Sequence, residues 1–231
     1  MRHLVSAACG LWLAATVPLQ AEPVVVVELY TSQGCVACPP ADEFVAMLAA
    51  NPMILPLALH VDYWDYIGWA DKFAQKKFTD RQRAYAKAVG SRMIYTPQLI
   101  IAGDQRIEGF DPTETAKLLR KHMTAGSPVR LSVTRDGDRL VIKVEADPPL
   151  TEPAWVQLVR YKPEETVAIE RGENAGKTIT YTNIVTAWER VGDWSGQQPM
   201  ELTAEFQGQE PGAIIVQTAG PAAILAAARV E

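Results

Sequence analysis

The residues with the most direct chemical capacity are two cysteines two positions apart, Cys35-Val36-Ala37-Cys38. An apolar run, Val24 to Tyr30, precedes them and a helix-like stretch, Pro39 to Ala50, follows. Thiols spaced in this way can open and close a disulfide. Cys35 is the expected attacking sulfur. At a strand-to-helix junction, unpaired N–H groups and the positive end of the helix dipole favour a thiolate and can lower a cysteine pKa from about 8.5 to roughly 3.5–7.5. Cys38, nearly one turn on, would resolve the mixed disulfide by attacking the Cys35 sulfur. Asp42 and Glu43, in the first turns, oppose that thiolate. A bridge across two residues barely constrains the unfolded chain, so chemistry is a better reason for it than stability.

Other residues could serve such a pair. Glu28 lies inside the apolar run, where a carboxylate is costly unless partnered; the bland alternative is a strand-end glutamate facing water. Pro97, in Tyr95-Thr96-Pro97, would interrupt a strand ladder and leave backbone groups to which an extended peptide could pair. His60 ends a second apolar run and is read as a core or loop residue; the alternative is a copper or zinc ligand beside the cysteines. Tyr63, Trp64, Tyr66 and Trp69 could wall a groove, although packing is the expected role. No Ser-His-acid or paired-carboxylate pattern stands out. Arg171 to Gly176 lacks the lysine and spacing of a phosphate loop and reads as a turn that could contact the other domain.

The elements that must position these residues follow from periodicity. Residues 24–30 and 54–61 are near-continuous apolar runs, as in strands covered on both faces. Residues 39–50 read as helix, with prolines tolerated in the first turn. Residues 70–89 read as two helical pieces, with a Thr79/Gln82 capping box and Gly90 as the stop. Residues 98–101 and 105–107 form a hairpin around Gly103-Asp104, and Asp111-Pro112-Thr113-Glu114 starts a last helix. The texture then changes. Residues 129–133 and 140–144 alternate around Asp136-Gly137-Asp138, a hairpin signal. Short runs follow at 155–160, 166–170, 178–185, 200–206 and 213–218, with a short helix conceivable at 222–228. This half reads as an antiparallel sandwich.

The 231 residues carry 22 Lys and Arg against 27 Asp and Glu, a formal net charge of −5 that gives no general electrostatic reason to bind nucleic acid. Arg2, the apolar stretch Leu4 to Val17 and Leu19-Gln20-Ala21 read as a signal peptide, residues 1–21, and place the mature protein in the periplasm or outside the cell. That stretch is short for a membrane span, and no other segment approaches one. Of three cysteines, Cys9 falls in the signal, so the mature chain holds only the pair.

Residues 22–126 resemble the thioredoxin-like superfamily. The likeness rests on the cysteine pair after Val24–Tyr30, on Thr96-Pro97 opening a strand, on the Gly103 turn and on the Asp111-capped helix. It implies a cis bond before Pro97, a partner backbone received at Thr96 and Pro97, and a buried acid acting as proton acceptor, the place that Glu28 resembles. Residues 62–90 look like a helical insertion relative to thioredoxin. The whole chain also resembles a family of secreted bacterial proteins of unknown function that joins such a half to a β-rich half. Glu28 to Cys35, His60 to Asp65 and Arg171 to Gly176 carry that likeness.

The expected architecture is an α/β thioredoxin-like domain with a helical insertion, residues 22–126, followed by an all-β antiparallel sandwich-like domain, residues 127–231. The expected function is thiol–disulfide exchange with an extracytoplasmic protein partner. Cys35, Cys38 and Glu28 would be catalytic, Thr96 and Pro97 would bind the partner, and no organic cofactor is implied. The rival is a non-catalytic envelope binding protein whose pair is a static disulfide or a metal clamp. Oligomeric state is not legible in the sequence.

Overall fold

The computed structural model describes residues 24–230. Residues 1–21, read as a signal peptide, and Cys9 lie outside the described residues. In chain order the elements are β1 (Val25–Thr31), α1 (Pro39–Ala49), β2 (Ile54–His60), a 3-10 turn (Asp65–Ile67), α2 (Lys76–Ala88), β3 (Gln98–Ile101), β4 (Gln105–Glu108) and α3 (Pro112–Thr124). Seven strands follow: β5 (Val129–Asp136), β6 (Arg139–Ala146), β7 (Ala154–Ala168), β8 (Thr178–Trp194), β9 (Met200–Glu205), β10 (Gly212–Thr218) and β11 (Ile224–Val230).

This corrects the expected architecture. The chain does not form an α/β thioredoxin-like domain followed by a separate all-β sandwich-like domain. It is mostly β, with three α-helices among the described residues and one mixed sheet of eight strands in the order β11-β10-β7-β8-β2-β1-β3-β4. The physical reason lies in β7 and β8. They are not short sandwich strands but run 15 and 17 residues, long enough to pair with each other, with β10 and with β2. The join to β2 is a single parallel bridge, Ala58 to Ile184. Pro56 has no N–H to donate, and the Asn183 side chain bonds its carbonyl at 2.9 Å.

Side chains of β1 alternate between two covered faces. Val25, Val27 and Leu29 meet Ala41 and Val45 of α1 and Leu118 and Leu119 of α3. Val26 and Tyr30 meet Phe78 and Tyr85 of α2, in a core that also takes Val159, Tyr161, Val185 and Ile215 from the later strands. A second sheet, β5-β6-β9, packs Leu131, Leu140, Ile142 and Val144 against Val156, Leu158, Ile214 and Val216.

Local signals account for several ends. Asp111 caps α3, its Oδ1 accepting from the Thr113 and Glu114 N–H groups at 2.9 Å, with Pro112 at the first position. Thr79 does not cap a helix: α2 starts after Gln75, and the Thr79 hydroxyl donates instead to Asp62 at 2.6 Å. Residues 222–228 are not helical; Ile224–Val230 is an edge strand on β10. Gly103 turns at φ +75°, and a Cβ there would stand 2.3 Å from the Ala222 carbonyl, so this hairpin must be bare to meet the C-terminal strands.

Candidate functional site

Cys35 and Cys38 are joined in a disulfide, with Cα atoms 5.4 Å apart. The turn that carries them is closed by the Cys38 N–H donating to the Cys35 carbonyl at 3.2 Å. Cys38 is itself the N-cap of α1. An α-helix ordinarily leaves its first four N–H groups unpaired. Here Pro39 and Pro40 supply none, and those of Ala41 and Asp42 donate to the Cys38 carbonyl. The amide groups expected to favour a thiolate are therefore absent or engaged, and of that expectation only the helix dipole is left.

The disulfide is covered. Cys35 is 2% exposed and Cys38 fully buried, while Val36 between them is 54% exposed. Trp64 and Ile67 pack on Gly34 at Cβ-contact distance, and the Trp64 indole donates to Thr96 Oγ1 at 2.7 Å. The aromatic loop thus spans from the cysteine turn to the Thr96-Pro97 segment, whose peptide bond is cis. Tyr63 donates to Gln82 and Trp69 to Gln33, so these aromatics pack and bond within the chain; Tyr66 points outward, 81% exposed.

Glu28 is fully buried and does not face water. It shares the β1 face of Val26 and Tyr30, turned to α2 and away from α1. Its oxygens are taken: Oε2 accepts from Tyr30 and Arg81, and Oε1 from Arg81 and Tyr85, all at 2.7–2.9 Å. Burial and the Glu28 charge raise the Tyr30 and Tyr85 hydroxyl pKa values.

The acid on the cysteine side is Asp42. It follows Cys38 by one helical turn and is 3% exposed, with neither oxygen hydrogen-bonded within the chain. Burial pushes its carboxyl up to about 7, against the pull of His60 and Thr31 and with a further push from Asp71 and Glu43. His60, fully buried, is held at Nδ1 by Asp71 Oδ2 at 2.6 Å and packed edge-on by Phe73 and Tyr181; its Nε2 has no partner in the chain. Asp71 also accepts from the Gln33 N–H at 2.8 Å, which ties this dyad to the residues just before Cys35. Among the described residues no three His, Cys, Asp or Glu side chains gather as a metal ion would require.

The site has a third wall in the segment 171–176, which reads in sequence as a turn. Asn174, 1% exposed in the β7–β8 loop, donates to the carbonyls of Gln33 and Cys35, both at 2.9 Å. Lys177 donates to Asn174 Oδ1 at 2.8 Å. Gly172, at φ +77°, lets this loop lie against Trp69. The sequence held one signal for Asp42, its i+4 spacing from Cys38; for Asn174 the signal is the polar, Gly-bearing turn at residues 171–176, and for Asp71 there is none.

Fold and site together define a protein built on a large mixed sheet that buries a disulfide at a helix start, with ionisable groups behind it. The chain belongs to the family described as a protein of unknown function, DUF1223, whose model matches residues 26–217. It is similar to a protein from Agrobacterium tumefaciens solved by X-ray crystallography, at 34% identity over 90% of this chain and 95% of that one, with a TM-score of 0.77. It also shares its fold with HBP35 of Porphyromonas gingivalis, at 14% identity, 91% and 75% coverage and a TM-score of 0.64. No curated protein matches.

Proposed function

We propose that this protein exchanges its Cys35–Cys38 disulfide with thiols of a protein partner outside the cytoplasm. The observation that carries the reading is a two-residue disulfide at the start of α1 with an unpartnered carboxyl, Asp42, one turn behind its second sulfur. In the direction that oxidises the partner, a partner thiolate attacks Cys35 Sγ and the Cys35–Cys38 bond breaks. Cys38 Sγ leaves with the electron pair and takes the Asp42 proton. A second partner thiolate then attacks the partner's own sulfur in the mixed disulfide and releases Cys35. The partner ends oxidised by two electrons and the pair reduced; the reverse sequence reduces a partner disulfide and re-forms the Cys35–Cys38 bridge. Asp42 is better placed for the proton than Glu28, whose oxygens are engaged on the far face of the sheet. Thr96 and Pro97 would receive the partner's backbone once the Trp64–Ile67 cover moves aside.

The near-complete burial of Cys35 favours a second reading, a static disulfide in a binding protein. Redox titration separates the two. Equilibration with glutathione, at a potential above about −300 mV, supports exchange, and a much lower potential supports a locked bridge. Cys38→Ser should trap a partner on Cys35 as a mixed disulfide; a variant that captures nothing from the envelope fraction, with its free Cys35 unreactive to a small disulfide reagent, sinks the exchange reading.

A further inference from the structure

We infer that Asn174, on the β7–β8 loop, is a positioning residue that sets the redox equilibrium of the Cys35–Cys38 pair. The inference rests on the exchange reading above only for its biological meaning; the equilibrium itself is measurable either way.

Cys35 O accepts the Cys38 N–H that closes the turn between the two sulfurs, and it also accepts from Asn174 Nδ2. The same amide group donates to Gln33 O, so Asn174 grips the chain on both sides of Gly34. Lys177 fixes which end of the amide faces these carbonyls, because its ammonium can bond only the oxygen, Oδ1. The loop that presents Asn174 is itself tied: Gly176 N–H donates to Ile169 O at 2.8 Å and Lys177 N–H to Asn174 O at 3.1 Å. Trp69, packed under Gly172, bonds the Gln33 side chain at 2.7 Å.

A turn held from outside keeps the two thiols of the reduced pair close and oriented, which raises their effective concentration for closing the bond. Asn174 therefore favours the oxidised form over the reduced one, where the turn is no longer fixed by the bridge. A residue of purely structural value would stabilise both forms equally and leave their ratio alone. The ratio is thus the quantity that distinguishes the two roles.

The experiment equilibrates the mature protein, Asn174→Ala and Lys177→Met in graded glutathione buffers, traps the thiols with acid and counts them by alkylation. Thermal midpoints of the fully oxidised and fully reduced forms of each are measured alongside. Asn174→Ala should shift the exchange constant about tenfold toward the reduced pair, about 30 mV less negative. It should lower the midpoint of the oxidised form more than that of the reduced form. Lys177→Met, which keeps the amide but frees its orientation, should move both readouts the same way by a smaller factor, and serves if Asn174→Ala does not fold. Equal midpoint losses in the two forms, or an exchange constant within twofold of the parent, overturn the inference. A parent pair that does not exchange with glutathione overturns the exchange reading instead, and the midpoints of forms prepared with a strong reductant still decide the role of Asn174.

Discussion

Asp42 and Glu28 show how two buried carboxylates of one chain take opposite roles from their surroundings. Each oxygen of Glu28 has two donors, one of them the Arg81 guanidinium, which also lies 3.8 Å over the Trp188 ring. Arg81→Met leaves that charge buried with only hydroxyl partners and should cost about 3–5 kcal/mol in urea unfolding; Glu28→Gln in the same chain should recover most of the loss. Asp42 has no such partner, and burial raises its carboxyl to about 7 from a reference near 3.8. Between about pH 4 and pH 7 the native state therefore holds a proton there that the unfolded chain has released. Stability from this group is fully present below about pH 4, falls as pH rises and is gone above about pH 7. His60, Asp71, Glu43, Thr31 and Tyr181 face or flank the carboxyl and remain in place in Asp42→Asn. Relative to the parent, with the disulfide intact, the variant should therefore gain on the order of 4 kcal/mol between pH 4 and pH 8. A parent-to-variant difference that is flat in pH would place the Asp42 charge in solvent. The alternation of faces along β1 also explains why two acids near the cysteines in sequence, Glu28 and Asp42, are buried on different faces of the sheet. Glu28 is one residue out of phase with the α1 face, and the burial of Asp42 depends on what α1 packs against.

Helix starts were legible where chemistry is local, and not where it depends on distant partners. Asp111 and Pro112 announce α3 because cap and first turn lie within four residues. Thr79 and Gln82 fit the same pattern, but α2 begins a turn earlier, where Gln75 bonds the His60 carbonyl through its own N–H. The alanine-rich 222–228 segment has helical propensity, yet β10 offers it a ladder and takes it as β11. The start of α1 is the element on which the proposed exchange turns, and its two prolines withhold N–H groups that other sequences would aim at the N-cap side chain. That side chain is the Cys38 sulfur. Pro40→Ala restores one donor, at the second helical position. It should stabilise the Cys38 thiolate by about 0.3–1 kcal/mol and make the pair more oxidising by up to roughly fivefold in the glutathione equilibrium. An unchanged thiol titration in the reduced variant would mean that the restored N–H finds another acceptor.

At the scale of the molecule, the change in texture near residue 127 is real in the sequence but does not divide the core. Apolar runs before it and alternating strands after it suggested two units because periodicity reports how each strand is covered, not which strands share a sheet. Val26, Tyr30, Leu57 and Leu59 pack in one cluster with Val159, Tyr161, Val185 and Ile215. Gln217 of β10 bonds Arg81 and Tyr85 of α2, and Arg229 of β11 bonds the Pro52 and Ile54 carbonyls at the start of β2. Asn174 reaches back to the cysteine turn. A fragment ending at residue 126 would expose one edge of β2, the apolar face of that cluster and a Glu28–Arg81 network stripped of Gln217. Such an open edge and uncovered face favour association over folding. Residues 22–126 expressed alone should therefore lack dispersed amide resonances and a cooperative unfolding transition. Residues 22–231 should melt in one step with the disulfide intact, as a shared core requires. A fragment that folds and retains the Cys35–Cys38 bridge against the same glutathione buffers would show that the later strands are dispensable to the site. Asn174 would then have to be read as packing alone.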